Sequence, residues 1–278
     1  MKVFDRTKKK DVIRILVTND DGIDSLGMRC LVKALSEVPG TEVYVSTPAV
    51  QQSGMSHSIV IQKKLLVREV EVPGAVRAMT IESTPADACL FGLDILAAEG
   101  IGIDVVYSGV NHGYNTAEDV PYSGTVGAAA EGAMDGIPSV AVSTSLYPEK
   151  GREYTPADFE SACRAAVQIL PTALEADTDY LMNINAPNCP PSEVKGWKVT
   201  TLGHIKYDMH LTGEPAEGGG TYYYYKVNGM ALSTEEELPG TDTAALADGY
   251  VSLTLVRTDY TNHRDMERYR AIVKDWKL

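Results

Sequence analysis

The stretch "IRILVTNDDGIDSLG", residues 13–27, predicts a buried strand followed directly by a helix. The apolar run Ile13–Thr18 has the length of a strand, and apolar residues recur at helical spacing between residues 25 and 38. The same alternation of strand-length apolar runs with helical patterns continues to about residue 187. Because such alternation is typical of βαβ units, it predicts an α/β fold with a mostly parallel sheet and helices on both of its faces.

The later elements of this series are predicted from the same two periodicities and from helix-cap residues. Thr84 and Pro85 are residues expected at the start of a helix. Two shorter strands, within residues 57–70 and 75–82, are inserted into the scheme. The main predicted strands cover residues 41–48, 103–109, 137–145 and 179–187, and the main predicted helices cover residues 84–100, 124–136 and 156–174.

The last third of the chain has a different pattern, centred on four consecutive tyrosines in "TYYYYKVNGMALST", residues 221–234. We predict a strand over Tyr222–Val227 and a type I′ turn at Asn228-Gly229, because Asn-Gly is a strong hairpin signal. Alternation along a strand places two tyrosines on each face. We therefore expect both faces to be covered, either at a sheet edge or, as we favour, by another subunit.

No internal repeat or long linker divides the 278 residues. We therefore predict a single α/β domain over residues 1–278, with its core at about 13–200. A C-terminal β-hairpin excursion at about 205–240 and a closing strand and helix at about 248–278 complete the domain.

Charge and cysteine content restrict the partners and the compartment. The formal net charge is −13, which repels nucleic-acid backbones and anionic membranes. The four cysteines are scattered without metal-ligand spacing, and no apolar stretch has the length of a membrane span. We therefore predict a cytoplasmic protein that binds neither a nucleic-acid polymer nor a membrane. An anionic substrate then needs local positive potential, from a metal ion or a helix N-terminus.

Two adjacent carboxylates, Asp20 and Asp21, follow the first predicted strand. Turn chemistry explains one aspartate and Gly22, but it leaves the second negative charge beside the first. A divalent cation explains both charges, and oxygen ligands without histidine or cysteine favour Mg²⁺, Mn²⁺ or Ca²⁺ over zinc. The sequence therefore favours a metal site at the carboxyl end of the first strand.

Three further predicted strands also end in polar segments, and ligands bind at this edge of open α/β sheets. In "SGVNHGYN" (residues 108–115), Asn111 and Asn115 either join a metal shell or form an Asx-rich turn. His57 and His112 are candidates for a general acid or a phosphate contact, although structural histidines are commoner. The other two polar segments are "TPAVQQSG" (residues 47–54) and "NINAP" (residues 183–187).

The helix predicted over residues 124–136 begins with a pattern typical of phosphate binding. Ser123, Gly124 and Thr125 stand where free N–H groups at a helix start attract anions. The alternative is that Ser123 is only an N-cap. The chain has neither a Walker loop nor a GxGxxG pattern after the first strand, and the absence of a GxSxG elbow argues against a Ser-His-Asp hydrolase.

Together, six blocks of this sequence resemble the SurE family of metal-dependent 5′-nucleotidases. They are "ILVTNDDGIDSLGM", "TPAVQQSGMSHSI", "STPADACLFGL", "VVYSGVNHGYN", "DVPYSGTVGAAAEGAMDGIPSVAVS" and "MNINAP". Some of these blocks are weak evidence alone, but six in family order between about residues 13 and 187 are highly specific. The resemblance implies a Rossmann-like core, one divalent metal ion per subunit (Mg²⁺ or Mn²⁺), and hydrolysis of nucleoside 5′-monophosphates and similar phosphomonoesters.

The resemblance also implies roles for particular residues. It implies dimers or tetramers formed through an extended C-terminal hairpin, which fits the tyrosine-rich segment. Where the family commonly has a basic residue after the loop asparagine, this chain has His112, which makes any phosphate contact there pH-dependent. The implied metal ligands are Asp20, Asp21, Ser53 and Asn111; the implied catalytic residues are Asp20, Asp21, Asn115 and Ser123; the implied substrate contacts are Asn111, His112, Asn115, Ser123, Gly124 and Thr125.

Three other classes of protein share parts of this pattern. An aspartyl-phosphate phosphatase needs carboxylates two positions apart, whereas Asp20 and Asp21 are adjacent. A receiver-like module also holds Mg²⁺ with an acidic pair, but it is roughly half this length and needs a phospho-accepting aspartate where "VVYSGVN" offers Ser108 and Asn111. A non-catalytic metal- or nucleotide-binding protein is the remaining alternative. For a hydrolase, the attacking group is water or Asp20, and we favour water.

Overall fold

Strand β1 (Ile13–Thr18) lies inside a sheet of nine strands, and a separate two-stranded hairpin follows later in the chain. The structure is a computed structural model that describes residues 12–145, 153–274 and 276. The other strands are β2 (Thr41–Pro48), β3 (Val67–Val70), β4 (Arg77–Ile81), β5 (Val105–His112), β6 (Ser139–Thr144), β7 (Tyr180–Ala186), β8 (Trp197–Thr200), β9 (Ile205–Pro215), β10 (Thr221–Leu232) and β11 (Val251–Arg257). The helices are α1 (Leu26–Ser36), α2 (Pro85–Ala98), α3 (Gly124–Met134), α4 (Glu160–Leu174), α5 (Asp242–Ala247) and α6 (Met266–Val273), with 3-10 turns at Ala117–Tyr122, Pro156–Phe159 and His263–Asp265.

The order of strands in the large sheet brings several loops to one edge. The order is β3-β4-β2-β1-β5-β6-β7-β11-β8, and neighbouring strands are parallel except for β3 with β4 and β11 with β7. Because β1 pairs with β2 on one side and β5 on the other, the segments that follow these three strands leave the sheet together. Such a change of direction in strand order is the usual place for a ligand in an open α/β sheet.

Helices cover both faces of this sheet, as predicted. Alternate residues of β1 point to opposite faces, so that Ile15 packs in the layer of α1 and α4 while Leu16 packs in the layer of α2 and α3. Both side chains are fully buried. The near-continuous apolar sequence of β1 is therefore explained by burial on both of its faces.

Most predicted elements are confirmed to within a few residues, including the caps of two helices. Ser25 Oγ accepts a hydrogen bond from Met28 N at 3.3 Å at the start of α1. Thr84 Oγ1 accepts one from Asp87 N at 3.2 Å at the start of α2. Of the shorter strand predicted within residues 57–70, only Val67–Val70 is extended in a sheet.

The predicted turn at Asn228-Gly229 is wrong. Strand β10 continues through these residues, and the pairing register with β9 shifts there, as in a β-bulge. The hairpin instead turns at residues 216–220, where Ala216 N donates to Gly220 O at 3.2 Å. Three consecutive glycines, Gly218 to Gly220, all with positive φ, supply the left-handed conformations that this turn needs.

The four tyrosines of β10 are exposed on both faces of the hairpin. Tyr222, Tyr223, Tyr224 and Tyr225 are 67%, 69%, 42% and 66% exposed. The covering that we expected for both faces is therefore not supplied by the described part of this chain.

Two further observations concern the cysteines and the lengths of the helices. All four cysteines, Cys30, Cys89, Cys163 and Cys189, are free thiols. In the described ranges, no helix is both long and apolar enough to span a membrane.

The close approach of α1 to β5 gives a stability prediction at Gly27. A Cβ at this position would lie 2.2 Å from Val110 O and 2.8 Å from Phe159 Cε1. Gly27→Ala should therefore lower the free energy of unfolding by about 1–3 kcal/mol, the usual cost of overpacking. Urea denaturation measures the change. Gly229→Ala is the control because nothing lies within 4 Å of its added Cβ, and an equal loss in both variants would contradict the packing argument.

Candidate active site

Asp20 is a buried carboxylate at the carboxyl end of β1. Its side chain is almost inaccessible, and its Oδ1 accepts a hydrogen bond from Thr125 Oγ1 at 2.5 Å. Burial is the largest cause that raises the pKa of Asp20 to about 6, the Thr125 hydrogen bond opposes that rise, and the charge of Asp21 adds to it. None of the ion pairs within the described ranges involves either aspartate.

The turn that follows β1 is formed by Asn19 and Gly22 rather than by the aspartates between them. Asn19 Nδ2 donates to Gly22 O at 2.9 Å, and Gly22 N donates to Asn19 Oδ1 at 3.2 Å. Gly22 has a φ of +85°, and a Cβ there would lie 2.9 Å from the carbonyl carbon of Val50. Turn chemistry therefore accounts for the glycine, while both carboxylates are left for another purpose.

Asp21 joins the loops that follow β2 and β5. Its Oδ1 accepts a hydrogen bond from Gln51 Nε2 at 3.4 Å, and the same Nε2 donates to Ser53 Oγ at 3.2 Å. Its Oδ2 accepts one from the backbone N–H of His112 at 3.2 Å. Three strand exits thus meet at one carboxylate, and Ser53 lies one side chain away from Asp21.

Asn111, the fourth predicted metal ligand, lies one residue before that backbone contact. Its Nδ2 donates to Gly113 O at 3.0 Å, which uses the amide nitrogen. Within the described residues its Oδ1 makes no hydrogen bond, and an amide oxygen is the atom that a hard cation binds. The Asx turn that we considered as the alternative for Asn111 is therefore present, but it leaves the amide oxygen able to bind a metal ion.

The start of α3 packs directly against Asp20. A Cβ on Gly124 would lie 2.8 Å from Asp20 Cβ, so that only glycine allows this approach. Ser123 Oγ accepts a hydrogen bond from Val126 N at 3.1 Å and is the N-cap of the helix. Thr125 is fully buried and gives its single hydroxyl hydrogen to Asp20. The structure therefore brings the predicted phosphate-binding segment into contact with a predicted metal carboxylate.

Asn115 is held in a buried network of polar side chains. Its backbone N donates to Asn185 Oδ1 at 2.8 Å, and its Nδ2 donates to Ser143 Oγ at 2.8 Å. Its carbonyl oxygen accepts from Asn183 Nδ2 at 2.7 Å and from Asn185 Nδ2 at 3.0 Å. The polar segment at residues 183–187 therefore supports Asn115, and the second N–H of the Asn115 amide is left for a ligand.

The two candidate histidines have mainly structural contacts. His57 Nε2 lies 2.7 Å from Glu131 Oε1 on α3. The His112 ring packs edge-on against Tyr154 and at a tilt against Phe159, with centroid distances of 5.3 and 5.0 Å. A substrate contact by either ring therefore stays a prediction.

A large apolar cavity of about 610 Å³ lies on the side of α3 that faces β7 and β11. Ser123 and His57 reach its wall, but Asp20 and Asp21 are not among its lining residues. It is therefore distinct from the carboxylate cluster.

Sequence reasoning missed the residues that join the parts of the site. Gln51, which contacts both Asp21 and Ser53, had a visible signal in the Gln51-Gln52 pair just before Ser53. Ser143, which supports Asn115, gave no signal because one serine at a strand end is common.

The donor set suits a hard divalent cation. The described residues contain no group of three or more His, Cys, Asp or Glu side chains that could hold a metal ion. The proposed set of oxygen ligands, Asp20, Asp21, Ser53 and Asn111, contains only two residues of these types, both aspartates. Asp20 and Asp21 are neighbours, Asp20 is buried, and neither carboxylate has a basic partner in the described ranges. Their uncompensated negative charge suits a bound cation.

A family model, two relatives and a solved structure each match most of the chain. A family model described as "Survival protein SurE" matches residues 15–209. The 5′-nucleotidase SurE of Methylocella silvestris is 38% identical over 262 residues, which cover 92% of this chain and 98% of that protein. The 5′-nucleotidase SurE of Desulforudis audaxviator is 35% identical over 270 residues, which cover 95% and 99%. The crystal structure of the Sure protein from Aquifex aeolicus superposes with a TM-score of 0.73 at 30% identity, covering 93% of this chain and 99% of that chain.

The buried state of Asp20 predicts how the stability of the metal-free protein depends on pH. Its pKa is raised from 3.8 to about 6 on folding, so folding favours the protonated carboxyl. The stability contributed by protonation is complete below about pH 4 and is lost as the pH rises through 6. Asp20→Asn cannot ionise, so at pH 8 the EDTA-treated variant should exceed the EDTA-treated wild type by about 3 kcal/mol in free energy of unfolding.

Denaturation of both proteins in EDTA between pH 4 and pH 8 measures this difference. Asp24→Asn is the control, because Asp24 lies on the same loop with an exposed side chain paired to Arg29. Parallel pH profiles of wild type and Asp20→Asn would contradict the assignment of the shift to Asp20.

Proposed function

The chain belongs to the SurE family, and from this membership we propose that it is a divalent-metal-dependent 5′-nucleotidase that hydrolyses nucleoside 5′-monophosphates to nucleoside and phosphate. Other phosphomonoesters are included in the proposed substrate range. A receiver-like module is disfavoured because the similarity covers nearly the whole chain. The remaining alternative is a binding protein without turnover, and the assay below distinguishes it.

One observation carries this proposal: the N-terminus of α3 lies against the buried carboxylate of Asp20. Gly124 allows the approach, and Thr125 fixes it with a hydrogen bond. A helix N-terminus offers backbone N–H groups and a positive dipole end to an anion. A phosphate bound there would lie beside Asp20, one residue from Asp21, which is an arrangement suited to metal-assisted phosphate hydrolysis.

Four side chains are proposed to hold the metal ion: Asp20, Asp21, Ser53 and Asn111. A divalent cation held there, Mg²⁺ or Mn²⁺ with one ion per subunit, would polarise a phosphoryl oxygen and neutralise charge on the group being transferred. Gln51 keeps Ser53 beside Asp21. The backbone N–H of His112 fixes the other oxygen of Asp21.

The phosphate is proposed to bind at Asn115 and at the start of α3. The hydroxyl of Ser123 accepts from Val126 N, so its hydrogen remains able to point at a phosphate oxygen. Gly124 presents backbone without a side chain, which allows close approach. Thr125 gives its hydroxyl hydrogen to Asp20, and its backbone N–H also lowers the pKa of that carboxylate. Its role at the proposed site is therefore to hold Asp20 beside the start of α3. Water is the favoured attacking group, with Asp20 as the alternative.

A phosphate-release assay tests the function. Nucleoside monophosphates are offered to the wild type, to the EDTA-treated wild type, and to the treated protein with Mg²⁺ or Mn²⁺ restored. We expect EDTA to abolish release and the metal to restore it. Asp20→Asn should fold and lose turnover by roughly 10³-fold or more, because it removes a ligand and a charge from the reacting group.

Asp24→Asn, an exposed acid four residues away, should keep normal turnover. Near-normal, metal-stimulated phosphate release by Asp20→Asn would overturn the assignment of the metal site. Nucleotide binding without any release by the metal-loaded wild type would favour the non-catalytic alternative.

We further propose that the chain is one SurE-like domain over residues 1–278 that assembles as a homodimer or homotetramer through the β9–β10 hairpin. The exposed tyrosines on both faces of this hairpin support the proposal, since such apolar surface is commonly buried by a partner.

We also propose that the protein is cytoplasmic. Four free thiols are typical of a reducing compartment, which supports the cytoplasm as the location.

The assembly proposal predicts that charge on one hairpin face changes the oligomeric state. Tyr223→Glu combined with Tyr225→Glu places two charges on one face of β10, and sedimentation velocity should show a smaller species than for the wild type. Val76→Glu is the control, because Val76 is also an exposed apolar residue, at 61%, but lies outside the hairpin. An unchanged assembly in the tyrosine variant would contradict a role of that face.

A further inference from the structure

Residues 115–123, called here the 115–123 strip, connect the loop after β5 to the start of α3. The strip carries two proposed substrate contacts, Asn115 and Ser123, at its two ends. Its second half is attached to the loop that carries Ser53, because Ser56 Oγ donates to Pro121 O at 2.6 Å and Ser56 N donates to Tyr122 O at 3.0 Å. The conformation of the strip therefore contributes to the distance between the two substrate contacts, together with the contacts of Asn115 to Asn183 and Asn185.

The first half of the strip is held by a buried carboxylate from a distant part of the chain. Asp242, the first residue of α5, is fully buried, and its Oδ2 accepts a hydrogen bond from Ala117 N at 3.1 Å. Its Oδ1 accepts from Gly203 N and from Thr243 N, both at 2.8 Å. One side chain thus joins the strip to the base of the hairpin and to α5.

Ala117 needs this hydrogen bond because its backbone is strained. Its φ is +50°, in the left-handed region that a residue with a Cβ adopts at an energetic cost. Its side chain is 3% exposed, so the turn lies inside the protein. The chain turns differently at a left-handed residue than at an extended one. The conformation of Ala117 therefore determines the direction of the strip after Asn115.

We propose that Asp242 is a positioning residue of the hydrolytic site. Its carboxylate holds Ala117 in the left-handed conformation and thereby fixes Asn115 and Ser123 relative to each other. The inference rests on the proposed function, since those two residues are substrate contacts there. The proposed metal ligands lie outside the strip, and the loop that carries Ser53 is attached to its other half, at Pro121 and Tyr122. We therefore expect the Asp242 contact at Ala117 to affect binding of phosphate and to leave binding of the metal ion unchanged.

The test is Asp242→Asn in the full-length chain. The amide keeps one oxygen for Gly203 and Thr243, but its NH₂ group cannot accept the hydrogen bond from Ala117 N. We expect kcat/KM for a nucleoside monophosphate to fall about 10- to 100-fold, as for a small displacement of substrate-binding groups. The dissociation constant for inorganic phosphate, measured by calorimetry, should rise, while the Mn²⁺ affinity stays equal to that of the wild type.

A second substitution separates positioning from general stability. Glycine adopts positive φ without strain, so adding Ala117→Gly to Asp242→Asn should recover most of the lost phosphate affinity. Loss of a merely structural contact would not be repaired in this way.

Thr241→Ala is the matched control. Thr241 is the N-cap of α5, accepts from Ala244 N at 3.4 Å and lies next to Asp242. Its loss should lower the melting temperature while phosphate affinity and kcat/KM remain those of the wild type.

The proposal is overturned if Asp242→Asn keeps normal phosphate affinity, loses Mn²⁺ affinity in parallel, or is not repaired by Ala117→Gly. If Asp242→Asn does not fold, Ala117→Val, whose β-branched side chain disfavours the left-handed conformation, should show the same split between phosphate and Mn²⁺ binding. If the wild type binds phosphate and Mn²⁺ but releases no phosphate from nucleotides, the proposed function is contradicted. The role of Asp242 is still tested in that case, because it is measured through binding of phosphate and Mn²⁺.

Discussion

The contact between Thr125 and Asp20 is the interaction on which the site depends. It joins the N-terminus of α3 to the end of β1 through a 2.5 Å hydrogen bond, and it requires glycine at position 124. A buried carboxylate without a basic partner in the described ranges is costly in a metal-free protein, which is why the pKa of Asp20 rises to about 6. The cation that we propose for this site would remove that cost. The same contact places the start of α3, where we propose that phosphate binds, beside Asp20, so that the destabilised carboxylate and the proposed phosphate site belong to one arrangement.

The topology of the sheet makes this arrangement possible. Because β1 has β2 and β5 as parallel neighbours, the loops after these three strands leave from one edge. Asp21 accepts hydrogen bonds from two of those loops, through Gln51 and the backbone of His112. A third connection comes from the C-terminal part of the chain, where Asp242 holds Ala117. The site is thus assembled from segments that are far apart in sequence, and its precision depends on a few buried hydrogen bonds between them.

Patterns among near neighbours in the sequence predicted the helices and strands well. They predicted the turns and contacts between these elements less well. The strand Ile13–Thr18 and the caps Ser25 and Thr84 follow from periodicity and cap chemistry, which involve only near neighbours. The Asn228-Gly229 turn failed because this local signal competed with three glycines that suit a turn better, and the pairing with β9 converted Asn-Gly into a bulge. For Ser123, the N-cap that we considered as the alternative is present. The cap uses its oxygen and leaves its hydrogen, so the cap does not exclude the substrate contact.

The sequence by itself determined the α/β class, the position of the strands and the chemical types gathered at their ends, because these depend on side-chain periodicity and on residue identity. It also contained the motifs whose order indicated the family. Only the tertiary structure decided which polar atoms are used up by internal hydrogen bonds and which remain for a ligand: Thr125 is committed to Asp20, Asn115 to Asn183 and Asn185, and His57 to Glu131. Such contacts join residues separated by tens to more than a hundred positions. They arise from close packing of whole elements, which neighbouring letters in a sequence do not encode.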